Sequence, residues 1–126
     1  MQKSNHRKIL AAVDDLFFAV KITEAAKRTG LDVEFVKTEK DALEKAGQNP
    51  LLIILDLNTK ALPPLELASK LKSDPALKSI PVIAYLSHVQ GELKQQAHDA
   101  GLEMVMPRSA FSLNLPQILK RYASTE

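Results

Sequence analysis

At 126 residues the chain has room for about one domain at roughly 150 residues each, so it is expected to be a single domain over 1–126 with no separate effector domain. Hydrophobic residues make up 45% and charged residues 25%, the balance of a globular protein rather than a disordered tract, a collagen-like repeat or a coiled coil. The 17 Lys and Arg against 15 Asp and Glu leave only +2, which demands neither nucleic acid nor an anionic membrane as partner, and the lack of cysteine excludes disulfides, thiolate chemistry and cysteine-ligated metals.

Short apolar runs alternate with amphipathic stretches along the whole sequence. Ile9 to Val13 is unbroken and apolar and stops at Asp14 and Asp15, the pattern of a strand buried on both faces. Phe18, Ile22, Ala25, Ala26 and Thr29 then recur at helical spacing, with Gly30 as the stop. Asp32 to Lys37 mixes apolar and polar residues and is the least apolar strand, suited to an edge. Thr38 with Asp41 makes a helix start ahead of Ala42, Leu43 and Ala46, and Gly47 closes it. Leu51 to Leu57 is the cleanest buried strand, and its apolar run is far short of the ~20 residues that span a bilayer.

Pro63 and Pro64 fit a first helical turn, so a helix is expected through Leu65, Ala68 and Leu71 until Ser73-Asp74-Pro75 ends it. Pro81 to Leu86 reads as the fourth strand, and Leu93, Ala97 and Ala100 mark a helix closed by Gly101. Glu103 to Pro107 is a short fifth strand. The last helix is expected to begin at Asn114 as cap, with Pro116 in its first turn and Leu115, Ile118, Leu119 and Tyr122 on one face. Strands alternating with helices in this way predict an open α/β sandwich around a mainly parallel sheet. Ligands of such sheets bind beyond the C-terminal strand ends, at the switch in strand order.

Those strand ends are acidic. Asp14 and Asp15 follow the first strand and Asp56 closes the third; in a sheet of order 2-1-3-4-5 these strands are neighbours. Singly, each aspartate has an ordinary use: Asp14 as a helix cap, Asp56 as the anchor of the following loop. Together they favour a shared acidic site whose mutual repulsion a cation must offset, and Mg²⁺, which takes oxygen ligands and keeps several waters, suits it. A carboxylate in that setting can attack phosphorus and form an aspartyl phosphate.

The segments Ile9-Leu10-Ala11-Ala12-Val13-Asp14-Asp15, Leu51 through Asp56, and Ser73-Asp74-Pro75-Ala76-Leu77-Lys78-Ser79-Ile80-Pro81-Val82-Ile83-Ala84 resemble the receiver domain of two-component response regulators. The resemblance covers essentially the whole chain. It implies the flavodoxin-like (βα)5 fold, a three-layer sandwich with a parallel five-stranded sheet of order 2-1-3-4-5. It also implies Asp56 as phosphoacceptor, Asp14 and Asp15 as the metal-binding pair, and a Mg²⁺ contact from the backbone carbonyl of Asn58.

The pattern breaks at the last two strands. Receivers carry a Ser or Thr at the end of the fourth strand, where an ungapped count gives Leu86; Ser87 takes the role only if the strand end is shifted. They carry a Lys followed by Pro at the end of the fifth, where this chain has Met106-Pro107; an ungapped count from Gly101 puts Arg108 there instead. Arg108 is a candidate lysine substitute, always charged and bidentate though bulkier. Tyr85 precedes Leu86, and the fifth strand has no aromatic. Phe18 shares the helical face of Ile22 and Ala25, which leaves Phe17 exposed beside the site as a hint of a partner surface. His88 and His98 are read as surface residues, His88 being near enough to Ser87 to contact a phosphoryl group.

The expectation is a cytoplasmic signalling domain, not an enzyme, that accepts a phosphoryl group on Asp56 from a sensor histidine kinase or phosphotransfer protein. Its output would be binding to a downstream protein target. The alternative is a pseudo-receiver, an interaction module that keeps the fold and does not switch by phosphorylation. A nucleotide-binding enzyme lacks support, since none of the 4 glycines forms a phosphate loop after a strand.

Overall fold

Strand and helix alternate throughout: β1 (Lys8–Ala12), α1 (Leu16–Arg28), β2 (Asp32–Phe35), α2 (Glu39–Ala46), β3 (Leu52–Asp56), α3 (Pro64–Ser73), β4 (Val82–Leu86), α4 (Gly91–Asp99), β5 (Met104–Pro107) and α5 (Arg108–Ala123). The computed structural model describes residues 8–87 and 91–124, so His88 lies outside the described residues. All strands are parallel in one 5-stranded sheet of order β2-β1-β3-β4-β5, the flavodoxin-like (βα)5 arrangement. Among the described residues no helix is long and apolar enough to cross a membrane.

The alternation of side chains along each strand divides the core into two halves. Leu10, Ala12, Ile53, Leu55, Val82, Ala84 and Leu86 face one way and meet Ala42, Leu67, Ala68, Leu71 and Ala97 of α2, α3 and α4. Ile9, Ala11, Leu52, Ile54, Ile83 and Tyr85 face the other way and meet Phe18 and Ile22 of α1 and Phe111, Leu115 and Leu119 of α5. Every residue of β3 and β4 is buried, which is why these strands read as continuous apolar runs. Each fully buried Leu or Ile adds ~1.5–3 kcal/mol, and Ile54→Ala in the middle of the sheet would cost ~2–5 kcal/mol. β2 forms an edge and has no fully buried residue, in keeping with its mixed sequence.

Helix ends follow local chemistry. Thr38 caps α2 by accepting the Asp41 N–H at 3.0 Å. Gly30 and Gly101 turn the chain at φ 74° and 97° after α1 and α4, where a side chain would be strained. Gly47 stays right-handed at φ −66°, and Asn49, at φ 62°, takes the left-handed turn before β3.

The last helix departs from the sequence reading. α5 starts at Arg108, directly after Pro107, so Asn114 is no cap and Pro116 lies inside the helix rather than in its first turn. The Asn114 side-chain amide instead donates to the Ala110 carbonyl at 2.8 Å. Phe111, Leu115, Ile118 and Leu119 form the buried face, and packing on that scale outweighs the one helical hydrogen bond that Pro116 cannot make.

Candidate functional site

The C-terminal edge of the sheet brings distant residues to one level. In register, Asp56 of β3 pairs with Tyr85 of β4, and Tyr85 with Met106 of β5. Register partners in a parallel sheet point the same way, so all three face the α1 and α5 layer. Leu86 is buried on the opposite face among α2, α3 and α4 residues.

Asp56 is 7% exposed, and its Oδ1 accepts the Asn58 N–H at 2.9 Å. Burial pushes its carboxyl above the usual carboxylate range; the Asn58 N–H pulls it back and the neighbouring Asp14 carboxylate pushes it further up. The loop beyond is tied to the end of β4, since Leu57 N–H donates to the Tyr85 carbonyl at 2.9 Å and Ser87 N–H donates to Asn58 Oδ1 at 2.7 Å. Asn58 and Ser87 are themselves exposed, Ser87 lying one residue past the strand end.

The acidic pair is divided in its tasks. Asp14 is exposed, whereas Asp15 caps α1: its Oδ1 accepts the Phe17 N–H at 2.9 Å. The other oxygen of Asp15, Oδ2, forms an ion pair with Nη2 of Arg108, the first residue of α5. The same guanidinium lies over the Phe18 ring, 4.7 Å from its centroid. A cleft of about 380 Å³ opens beside the pair, lined by Val13, Asp14, Asp15, Leu16, Ala19, Phe35 and Lys37 and not by Asp56.

Below these groups is an aromatic floor. The Tyr85 ring centroid lies 4.6 Å from that of Phe18 and 4.9 Å from that of Phe111. The Tyr85 hydroxyl is buried with no hydrogen-bond partner among the described groups. Burial, followed by the Asp56 and Asp14 carboxylates, pushes its ionisation well above the usual phenol range. Phe111 was hidden in the sequence because the last helix was expected to start beyond it; the helical spacing of Phe111, Leu115 and Ile118 is the signal that finds it. The expected split of the two phenylalanines holds: Phe18 is 2% exposed and Phe17 64%. His98 is an exposed residue of α4.

Asp14, Asp15 and Asp56 are oxygen donors of the kind a hard divalent ion takes. Among the described residues no three His, Cys, Asp or Glu side chains gather as a metal-binding group, and both oxygens of Asp15 are engaged. The edge carries three carboxylates, and among the described residues Arg108 pairs with one of them, Asp15.

A parallel sheet of order 2-1-3-4-5 with an acidic pair after β1 and an aspartate closing β3 is receiver-like, of the kind found in response regulators. The chain is similar over 96% of its length to 96% of the phosphorylated cyanobacterial phytochrome response regulator RcpA, at 28% identity and a TM-score of 0.79. It is similar in fold to the receiver domain of a signal transduction histidine kinase from Syntrophus aciditrophicus (24% identity, 94% of this chain and 90% of that one, TM-score 0.79). It also shares the fold of the Mn²⁺-bound form of response regulator Rcp1 (21% identity, 94% of this chain and 92% of that one, TM-score 0.73). No family model and no curated protein matches the sequence.

Proposed function

We propose that the chain is a single receiver-like signalling module of a two-component pathway, a binding protein rather than an enzyme, whose output is contact with another protein and does not require phosphoryl transfer to Asp56. One observation carries this reading: among the described residues, the last two of β4 and the β5 residues in register with them beside Asp56 carry neither an aliphatic hydroxyl nor an ammonium, and Ser87 lies one residue beyond the strand. β4 closes on Tyr85 and on Leu86, which faces away, and β5 presents Met106. The partner surface would include the start of α1, where Leu16, Phe17 and Val20 are 78%, 64% and 51% exposed next to the acidic pair. A cytoplasmic setting, with a kinase or phosphotransfer protein and a downstream protein as partners, follows from the same reading.

A second reading has one observation in its favour. Asp56 stands at the end of β3, where receivers carry their phosphoacceptor, and 28%-identical RcpA is described in phosphorylated form. In that reading the phosphorus–nitrogen bond of a phosphohistidine breaks as an Asp56 oxygen bonds to phosphorus, with Arg108 as nearby positive charge and Ser87 as the displaced hydroxyl. Amide NMR shifts separate the two. Adding Mg²⁺ and then beryllofluoride should leave the spectrum unchanged around Asp56, Ser87 and Arg108. Shifts there that vanish in Asp56→Asn would establish the second reading and overturn the first.

A further inference from the structure

We infer that the Arg108 guanidinium is a built-in counter-ion that occupies Asp15 in place of a divalent cation, so that this acidic edge takes up metal only when Arg108 is withdrawn. The inference deepens the reading above and rests on it. Asp15 has two oxygens to offer. Oδ1 holds the Phe17 N–H at 2.9 Å, and surrendering it leaves the first turn of α1 uncapped. Oδ2 is paired with Arg108. An ion that binds Asp15 without displacing the guanidinium would have to use the remaining lone pairs beside a like charge, so displacement is the favoured course.

Arg108 is well placed to resist. It opens α5 directly after Pro107, whose ring fixes φ at −61°, so its backbone is held at the junction of β5 and α5. The Phe18 ring lies 4.7 Å beneath the guanidinium, and the Arg108 and Asp15 side chains are only 37% and 28% exposed, which limits screening by water. One positive charge at this point offsets the charge of Asp15, while Asp56 still feels the Asp14 carboxylate. A guanidinium is planar and offers only donors, so it can neutralise the edge yet cannot polarise a phosphoryl oxygen as a metal ion does.

The test is Mn²⁺ binding, read from the electron paramagnetic resonance of the free ion, for wild type, Arg108→Ala and the double variant Arg108→Ala/Asp15→Asn. Circular dichroism confirms that each is folded, and Arg108→Gln replaces Arg108→Ala if that variant is not. Arg108→Ala should bind Mn²⁺ at least about tenfold more tightly than wild type, the order expected for freeing a charge-assisted carboxylate and removing a like charge beside the ion. The double variant should lose that gain, which places the ion on Asp15. Equal affinity in wild type and Arg108→Ala, or a gain that survives in the double variant, overturns the inference. If both bind negligibly, the phosphorylation-independent reading stands without it; if wild type binds as tightly as the variant and responds to beryllofluoride, both fall.

Discussion

The buried, unpartnered hydroxyl of Tyr85 makes a quantitative test of how the edge beside Asp56 is built. Tyr85 is 1% exposed, packed in a triangle of rings with Phe18 and Phe111, and its oxygen has no hydrogen-bond partner among the described groups. Tyr85→Phe keeps the ring contacts and removes a polar atom whose unpaired burial costs ~1–3 kcal/mol. The atom-sized gap returns only a few tenths of a kcal/mol at ~24 cal/mol per Å³. A net stabilisation of ~1 kcal/mol should follow. With a urea m-value of ~1–3 kcal/mol/M, the unfolding midpoint should rise by roughly 0.5 M, and Tm by ~3–5 °C. The pH dependence gives a second readout. The phenol ionises near 10.0 when unfolded and well above that when folded, so above pH 10 the unfolded state holds fewer protons and wild-type stability falls as pH rises. The variant should lose less over that range. A midpoint that stays put or falls, or an alkaline slope equal to wild type, would mean that the hydroxyl is satisfied and the reasoning is wrong.

Two further outcomes can be checked by the same denaturation assay. Asp56 is held above the usual carboxylate range in the fold, so its contribution is fully present below its unfolded value, taken as 3.8, and is lost as pH rises. Asp56→Asn should therefore be more stable than wild type at pH 7, with the difference closing at pH 3.5; a variant less stable at pH 7 would contradict this. Lys72 of α3 should matter more than its surface location suggests, because its Nζ donates to the Ile80 and Lys78 carbonyls at 2.9 and 3.2 Å and pairs with Glu103 at 2.8 Å. Glu103 in turn accepts the Val82 N–H at 2.8 Å, so Lys72→Met should cost ~1–3 kcal/mol, and a cost near zero would show that water replaces the ammonium.

What the sequence discloses is set by how local each cause is. β3 and β4 are legible because burial on both faces demands unbroken apolar runs, and β2 because an edge tolerates Asp32 and Glu34. The acidic edge is legible because Asp14, Asp15 and Asp56 each follow such a run directly. Which of two adjacent aspartates caps α1 is not: both precede the same helix, and only the backbone path that puts the Phe17 N–H on Asp15 decides it. The start of α5 is misread for a different reason. Pro116 favours a first helical turn on local grounds, but the buried face from Phe111 to Leu119 supplies more than the proline removes. The Arg108–Asp15 pair joins opposite ends of the chain, and no local pattern announces it.

That pair also shows why a shift of two residues changes what a positive charge does. A cation in place of Met106 would project from β5 at the level of Tyr85 and Asp56, on the face where a phosphoryl group on Asp56 would need it. Arg108 lies beyond the strand, in the first turn of α5, and its charge goes to the cap of α1 instead. The two helices that cover this face are thereby joined at their N-terminal ends, above the stack of Phe18, Tyr85 and Phe111. In the receiver pattern the cation serves the phosphoryl group; in this chain the positive charge beyond β5 is paired with Asp15, where α1 and α5 begin.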